Sequence, residues 1–136
     1  MKTTQELEQQ IRRSPAPVIL RDPAFGGADL TAYLRGLLEA RGRSVQDIIL
    51  RCNLDRSYGY QLFNGTRTPP RDFLLLLSMV LQLPEEEAQR LLKLAGRPAL
   101  YPRNRRDAAV LYALSHRLSL DEANALLTDL GEEELL

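Results

Sequence analysis

The middle of this 136-residue chain carries the signals of two short helices joined by a tight turn, in residues 43–70 (RSVQDIILRCNLDRSYGYQLFNGTRTPP). Ser44 is a favourable N-cap for the first helix, and Asn53, which tolerates left-handed backbone, ends it. Asp55 caps the second helix, which ends at the turn dipeptide Asn64-Gly65. The stretch therefore predicts two short helices in close succession.

The rest of the chain also shows helical periodicity, and no part of it has the pattern of a strand. Caps, glycines and prolines mark the ends of seven helices from residue 29 onwards. These are 29–41, 44–53, 55–64, a fourth that opens at Thr68-Pro69, 84–96, 105–116 and 119–131. The predicted fold class is therefore all-α, with short connections.

Three segments follow from this pattern. In residues 1–28, a capping box at Thr3–Glu6 opens a short helix to about Arg13, and a proline- and glycine-rich arm follows it. Residues 29–96 form the central domain, which contains the helix pair. Residues 97–136 form a C-terminal hairpin, predicted to pack on the fourth and fifth helices.

The C-terminal hairpin echoes the helices before it. Residues 74–100 align with residues 109–135 at an offset of 35, with leucines, Glu87/Glu122 and Gly96/Gly131 at matching places. Two interpretations are open. The two segments share generic leucine spacing, or they are a duplicated α-hairpin in which one copy packs on the other.

Charge is segregated along the chain although the net charge is zero. Residues 41–71 hold six arginines and two acids, whereas residues 118–136 hold six acids and no base. This distribution is compatible with DNA binding, and equally with a tail that docks on a basic partner. A single cysteine, no apolar run long enough for a membrane span and no signal-peptide pattern predict a cytoplasmic protein without a membrane partner.

Residues 30–92 resemble the DNA-binding domain of the phage lambda repressor and Cro family, often called XRE-like. The resemblance rests on the turn position, on the apolar residues Ile48, Cys52, Leu54 and Leu62, and on LFNG (62–65) followed by a proline-capped helix. It implies a five-helix helix-turn-helix domain, here extended by an N-terminal helix and arm and by the C-terminal hairpin. It assigns the hairpin no function.

The resemblance implies a sequence-specific transcriptional regulator that places helix 55–63 in the major groove of double-stranded DNA, in a bacterial or phage-like cytoplasm. The implied base contacts are Arg56, Ser57, Tyr60 and Gln61. The implied phosphate contacts are Arg43, Ser44, Asn64, Thr66 and Arg67. Arginine matches guanine and glutamine matches adenine.

One such domain reads half a site, so a homodimer is expected. The candidate dimer face is Tyr112, Leu114 and Leu118, which are equally candidates for the core.

Three positions depart from the family pattern. Val45 stands where the family has a polar residue that supports the contact helix. The family has a small residue on the first helix of the pair and a β-branched residue opposite it on the contact helix. Here Ile49 and Gly59 stand at these two positions, and Ile49 is expected to fill the space that Gly59 vacates. Asp55 is a normal helix cap, but its charge would repel a nearby phosphate.

Enzymatic chemistry finds no support in the sequence. His116 is the only histidine, Cys52 lies at an apolar position, and no residues have metal-ligand or phosphate-loop spacing. We therefore expect a non-enzyme without metal or cofactor. The alternative function is a protein–protein interaction module that uses the Tyr58/Tyr60 surface and the acidic C-terminal hairpin.

Overall fold

The computed structural model describes residues 27–135, which form seven α-helices and no strand, so the all-α prediction is confirmed for this part of the chain. The helices are α1 (Gly27–Ala40), α2 (Val45–Arg51), α3 (Arg56–Asn64), α4 (Arg71–Val80), α5 (Glu85–Leu94), α6 (Arg105–Ser115) and α7 (Leu120–Asp129). The predicted helix at Thr3–Arg13 and most of the arm lie outside the described residues.

The predicted helix caps form the expected hydrogen bonds. The Ser44 side chain accepts from the Asp47 N–H, and Asp55 Oδ2 accepts from the Tyr58 N–H at 3.0 Å. The same arrangement opens α6 at Asn104 and α7 at Ser119. Asn53 has a φ of 52°, so the chain turns through a left-handed residue after α2.

The start of α4 was predicted two residues too early. The helix begins at Arg71, with Pro70 as its cap, and not at Pro69. A residue that precedes proline is pushed out of the helical region, because the proline ring clashes with its backbone. Pro69 is followed by Pro70 and therefore stays outside the helix, where it is buried.

One hydrophobic core runs without a break from Leu30 to Leu135. α4 is its centre, since every residue from Phe73 to Met79 is buried. α1 packs against α3 and α5, α2 packs against α3, and the rings of Phe63 and Phe73 meet edge to face at 5.9 Å. The core therefore does not divide at residue 97, where the C-terminal hairpin begins.

The C-terminal hairpin repeats the geometry of α4 and α5 at the same offset of 35. α5 and α7 begin and end 35 residues apart, and so do the ends of α4 and α6. The left-handed residues Gln82 and Arg117, with φ of 52° and 51°, occupy matching turns. The two hairpins therefore agree in their helix ends as well as in their leucines.

Matching polar contacts extend this agreement. The side-chain amide of Gln89 exchanges two hydrogen bonds with the backbone of Leu100, at 3.0 and 2.8 Å. The amide of Asn124 does the same with the backbone of Leu135, at 2.9 and 2.7 Å. We call each pair of hydrogen bonds between a side-chain amide and a leucine backbone a clasp. Generic leucine spacing does not account for two matching clasps, so the structure favours a duplicated hairpin.

The two hairpins are joined crosswise by arginine–aspartate pairs. Arg71 donates to both carboxylate oxygens of Asp107, at 3.0 and 2.8 Å. Arg106 donates to both oxygens of Asp72, at 2.8 and 3.0 Å. α4 also packs on α6 and α7, and α5 packs on α6. The C-terminal hairpin thus lies on α4 and α5, and within residues 27–135 no hydrogen bond or ion pair joins it to α3.

Candidate nucleic-acid interface

A concave surface lies along one side of α3, and we call it the α3 groove. It brings together all four residues expected to contact bases and two of those expected to contact phosphate, with the cap residue of the helix. Its lining residues are Asp55, Arg56, Ser57, Tyr60, Gln61, Asn64 and Thr66. Six of the nine contact residues that the family resemblance implied therefore line a single surface.

The opposite side of α3 fixes the helix to the core. Gly59, Leu62 and Phe63 are buried there, and α3 packs on both α1 and α2. The spacing of these three residues leaves the intervening positions of the helix to face outwards. Burial of one face thus determines which side chains line the groove.

Gly59 lets α2 and α3 approach closely. A Cβ atom placed on Gly59 would lie 2.5 Å from Cγ1 and 2.8 Å from Cδ1 of Ile49. Real Cβ atoms do not approach other carbons so closely, so Ile49 occupies the space that a side chain at position 59 would need. The expectation that Ile49 fills this space is confirmed.

Gln61 and Arg67 form a double link at the end of the groove. Arg67 Nε donates to Gln61 Oε1 at 2.7 Å, and the Arg67 N–H donates to the Gln61 carbonyl at 3.2 Å. The Arg67 guanidinium also lies 5.8 Å from the ring centroid of Tyr58, within the range of a cation–π contact. Arg67 is therefore held on two sides in the free protein.

A second arginine lies over an aromatic ring at the start of the helix. The Arg56 guanidinium is 5.9 Å from the ring centroid of Tyr60. Tyr58 and Tyr60 are half-buried, whereas Arg56 and Ser57 are exposed. The two tyrosines therefore support cations at this surface and are only partly available to a partner.

The loop after α3 uses part of its hydrogen-bonding capacity internally. Asn64 Oδ1 accepts from the Thr66 N–H at 2.9 Å, and Gly65 takes a left-handed φ of 87°. The amide nitrogen of Asn64 keeps its two donors, because a carboxamide oxygen and nitrogen act separately. Asn64 can thus donate to a phosphate while its oxygen holds the turn.

Ser44 and Arg43 lie outside the α3 groove. The Ser44 N–H already donates to Asp47 Oδ2 at 2.9 Å, and the hydrogen bonds from Ser44 lower the pKa of that carboxyl. A phosphate at the start of α2 would therefore compete with a carboxylate. Arg43 lines a different depression, with Arg41 and Arg51, beside the end of α4 and the start of α7.

The acidic residues near the C-terminus contact neighbouring residues of the C-terminal hairpin. Glu132 pairs with Arg105 at 3.6 Å, and Glu134 accepts from Thr128 at 2.6 Å. Arg106 donates to the carbonyls of Glu133 and Glu134. Within residues 27–135, no hydrogen bond or ion pair joins these acids to α3. The C-terminal hairpin leaves the α3 groove uncovered.

The candidate dimer face is split by the fold. Leu114 is buried in the core, so it does not belong to an exposed face. Tyr112 is exposed and stacks on His116 with ring centroids 3.9 Å apart. α6 packs against α4, α5 and α7. Of the two interpretations open for Tyr112, Leu114 and Leu118, the structure supports a core position for Leu114 and leaves Tyr112 exposed.

Cys52 and His116 both cap helices. Cys52 ends α2 and is half-buried, and burial raises the pKa of its thiol. His116 ends α6, where Nδ1 lies 2.9 Å from the Tyr112 carbonyl. In residues 27–135, no group of three or more histidines, cysteines and acids is placed to hold a metal ion.

Two contacts of this surface were not predicted from the sequence, namely Tyr58 beneath Arg67 and the Gln61–Arg67 hydrogen bond. Residues 58 and 61 are three apart on a helix, so they share one side of it, and this spacing was a usable signal. The contact between Gln61 and Arg67, six residues later, could not be predicted from spacing, because Arg67 lies in the loop after the helix.

Comparison with protein-family models, with curated proteins and with solved structures gives no match. Among the helices of residues 27–135, none combines the length and apolarity needed to span a membrane.

Proposed function

We propose that α1–α5 form a helix-turn-helix domain that binds double-stranded DNA with α3 in the major groove. The observation that carries this proposal is the α3 groove. Arg56, Ser57, Tyr60 and Gln61 line it together, and these side chains provide the hydrogen-bonding groups used to recognise base edges.

The charge around the groove supports the same proposal. Arg56 and Arg67 are exposed at its two ends, and among residues 27–135 Asp55 is the one acid that lines it. The carboxylates of Glu132 and Glu134 contact Arg105 and Thr128 within the C-terminal hairpin, and not α3. A phosphate backbone would therefore meet more positive than negative charge at this surface.

A protein partner is the second candidate function, and Leu50 on α2 offers it one apolar contact. This side chain is 71% exposed, as single aliphatic residues on protein surfaces often are, so it gives only limited support. The predicted Tyr58/Tyr60 surface contributes less, because each tyrosine lies under an arginine. DNA binding explains more of the groove, and a partner at Leu50 is compatible with it.

Selection from a random-sequence DNA pool at two salt concentrations tests the proposal. We expect the wild type to enrich a defined site and the affinity to fall steeply with salt, as it does when arginines displace counterions from phosphates. Arg56→Ala/Gln61→Ala should abolish the enrichment while the protein remains folded, because both side chains are outside the core.

The matched control is Arg103→Ala, which removes one positive charge from the linker before α6. It should bind and select like the wild type. If the folded wild type enriches no sequence at low salt, the DNA proposal is wrong, and pull-down with Leu50→Ser as the negative control becomes the next experiment.

A further inference from the structure

We infer that Arg67 is a positioning residue that fixes the amide of Gln61 for an adenine, rather than a simple phosphate contact. This inference rests on the proposed DNA-binding function and specifies how one base pair is chosen. Its starting point is the 2.7 Å hydrogen bond from Arg67 Nε to Gln61 Oε1.

The hydrogen bond determines which way the Gln61 amide faces. A carboxamide has an acceptor oxygen and a donor nitrogen of similar size, so a free glutamine can present either order. Arg67 Nε–H can only donate. The flipped amide would place donor against donor, and Arg67 therefore selects one of the two orientations.

Arg67 is itself held in place. Its guanidinium lies over Tyr58, and its backbone N–H donates to the Gln61 carbonyl at 3.2 Å. Tyr58 in turn is fixed at the start of α3, where its N–H donates to Asp55. The orientation of the Gln61 amide is thus determined by a chain of contacts within α3 and its following loop.

These contacts replace the support that Val45 cannot supply. Val45 has no hydrogen-bonding side chain, and it is half-buried against the core. Support for Gln61 comes instead from Arg67, in the loop after α3. The family resemblance implied a phosphate contact for Arg67, but in this structure Arg67 holds the Gln61 amide.

The fixed amide matches adenine. The oxygen has two lone pairs, so it can accept from Arg67 and from the adenine N6 amino group, while the amide nitrogen donates to adenine N7. Guanine presents an acceptor, O6, where adenine presents its amino group, and would oppose the oxygen of Gln61. We therefore expect the base pair contacted by Gln61 to be A·T.

The experiment compares the wild type, Arg67→Lys, Arg67→Ala and Gln61→Ala in the same DNA selection. Lysine keeps the positive charge and can also donate, but it lacks the planar guanidinium that lies over Tyr58, so its flexible ammonium is not held against Gln61 Oε1. For the wild type, we expect about a tenfold preference for A·T over G·C at one position, in line with a single bidentate contact. Gln61→Ala identifies that position by losing its preference.

Arg67→Lys should lose the preference at that same position, to within about threefold, while its salt dependence stays that of the wild type. Arg67→Ala should lose both the preference and part of the salt dependence. In the free wild-type protein, we expect slowed solvent exchange of the Arg67 Nε–H proton by NMR, and faster exchange of that proton in Gln61→Ala would show that the hydrogen bond forms without DNA.

The outcomes separate the two proposals. A wild type that enriches no site contradicts DNA binding, and this inference with it. Enrichment in which Arg67→Lys keeps the wild-type base preference, or in which the Gln61 position selects G·C, overturns the inference alone. If Arg67→Lys binds all DNA sequences more weakly by the same factor, Arg67 is a phosphate contact and not a positioning residue.

Discussion

Ile49 on α2 and Gly59 on α3 share one volume, in which only one of them can carry a side chain. Ile49 is buried and fills the contact, so the bulk that holds the two helices apart comes from α2 alone. This relationship brings the axis of α3 close to α2 and determines how far the α3 groove projects from the core.

Gly59→Ala should therefore lower the free energy of unfolding by about 1–3 kcal/mol, since overpacking outweighs the gain in helix propensity. In the double variant Ile49→Ala/Gly59→Ala the new methyl group has room, so the loss should be smaller than the sum of the two single losses by about 1 kcal/mol. Urea denaturation of the four proteins measures this coupling. If the losses in the free energy of unfolding of the two single variants simply add in the double variant, Ile49 and a side chain at position 59 do not compete for one volume.

Gly36→Ala is the matched control for that cycle. Gly36 is an exposed glycine within α1, and a Cβ placed there meets nothing within 4 Å. The substitution should raise the free energy of unfolding by up to about 1 kcal/mol through helix propensity. A loss at Gly36 would show that glycine-to-alanine changes harm this protein for reasons unrelated to Ile49.

The matching clasps of Gln89 and Asn124 should be equally important. Gln89→Ala and Asn124→Ala each leave one N–H and one carbonyl of a buried leucine, Leu100 or Leu135, without its partner. We expect each to cost about 1–3 kcal/mol in urea denaturation. Gln46→Ala, at an exposed position of α2, should be nearly neutral. If only one clasp matters, the hairpins are not equivalent.

Asp107 should make stability depend on acid pH. Burial alone would raise the pKa of Asp107, but hydrogen bonds from Arg71 and from the Tyr101 N–H lower it below its ordinary value. A lowered folded-state pKa contributes stability that is complete above the unfolded pKa of about 3.9 and is lost as pH falls through the folded pKa. Chemical denaturation between pH 7 and strongly acid pH measures the slope.

Asp107→Asn should be less stable than the wild type at pH 7 by about 1–3 kcal/mol, because it loses charge-assisted bonds to Arg71. The difference should narrow as pH falls below about 4, because the unfolded wild type then takes up a proton, and it should close once the folded carboxyl is protonated at still lower pH. Glu39→Gln, on the exposed side of α1, provides the control and should keep the wild-type slope. A constant gap at every pH would exclude Asp107 as the source.

Asp55→Asn should strengthen DNA binding without weakening the fold. Asparagine caps a helix as well as aspartate does, so the bond to the Tyr58 N–H is retained. Loss of the negative charge in the α3 groove should raise affinity about threefold to tenfold at low salt and less at high salt. Asp55→Ala, which also removes the cap, should cost about 1 kcal/mol of stability. Unchanged affinity in Asp55→Asn would place the phosphates elsewhere.

Local sequence rules predicted most of the helix ends, because a cap such as Ser44 or Asn104 forms its bonds within three residues. The start of α4 was missed where two local rules compete, since Pro69 favours a helix start and Pro70 prevents it. The partners of Arg71 and Arg106 could not be chosen from the sequence. They lie 36 and 34 residues away, and only the packing of the hairpins brings them together.

The α3 groove shows the same division. The family resemblance of residues 30–92 implied Arg56, Ser57, Tyr60 and Gln61 as one group, and the structure places them on one surface. The link from Gln61 to Arg67 depends on how the loop at Gly65 turns back, which local patterning does not specify. Whether Leu114 lies in the core or on a dimer face depends in the same way on packing, because α6 contacts α4, α5 and α7.

The crosswise pairs Arg71–Asp107 and Asp72–Arg106 give the two hairpins a reciprocal contact. When residue i of one unit binds residue j of the other and the exchange is reciprocal, the contact is isologous and closes on itself. An open solenoid keeps a binding face at each end, whereas this pair of hairpins uses the same face of both. Each Arg-Asp set is therefore satisfied by the other within one chain, as in a two-fold symmetric dimer.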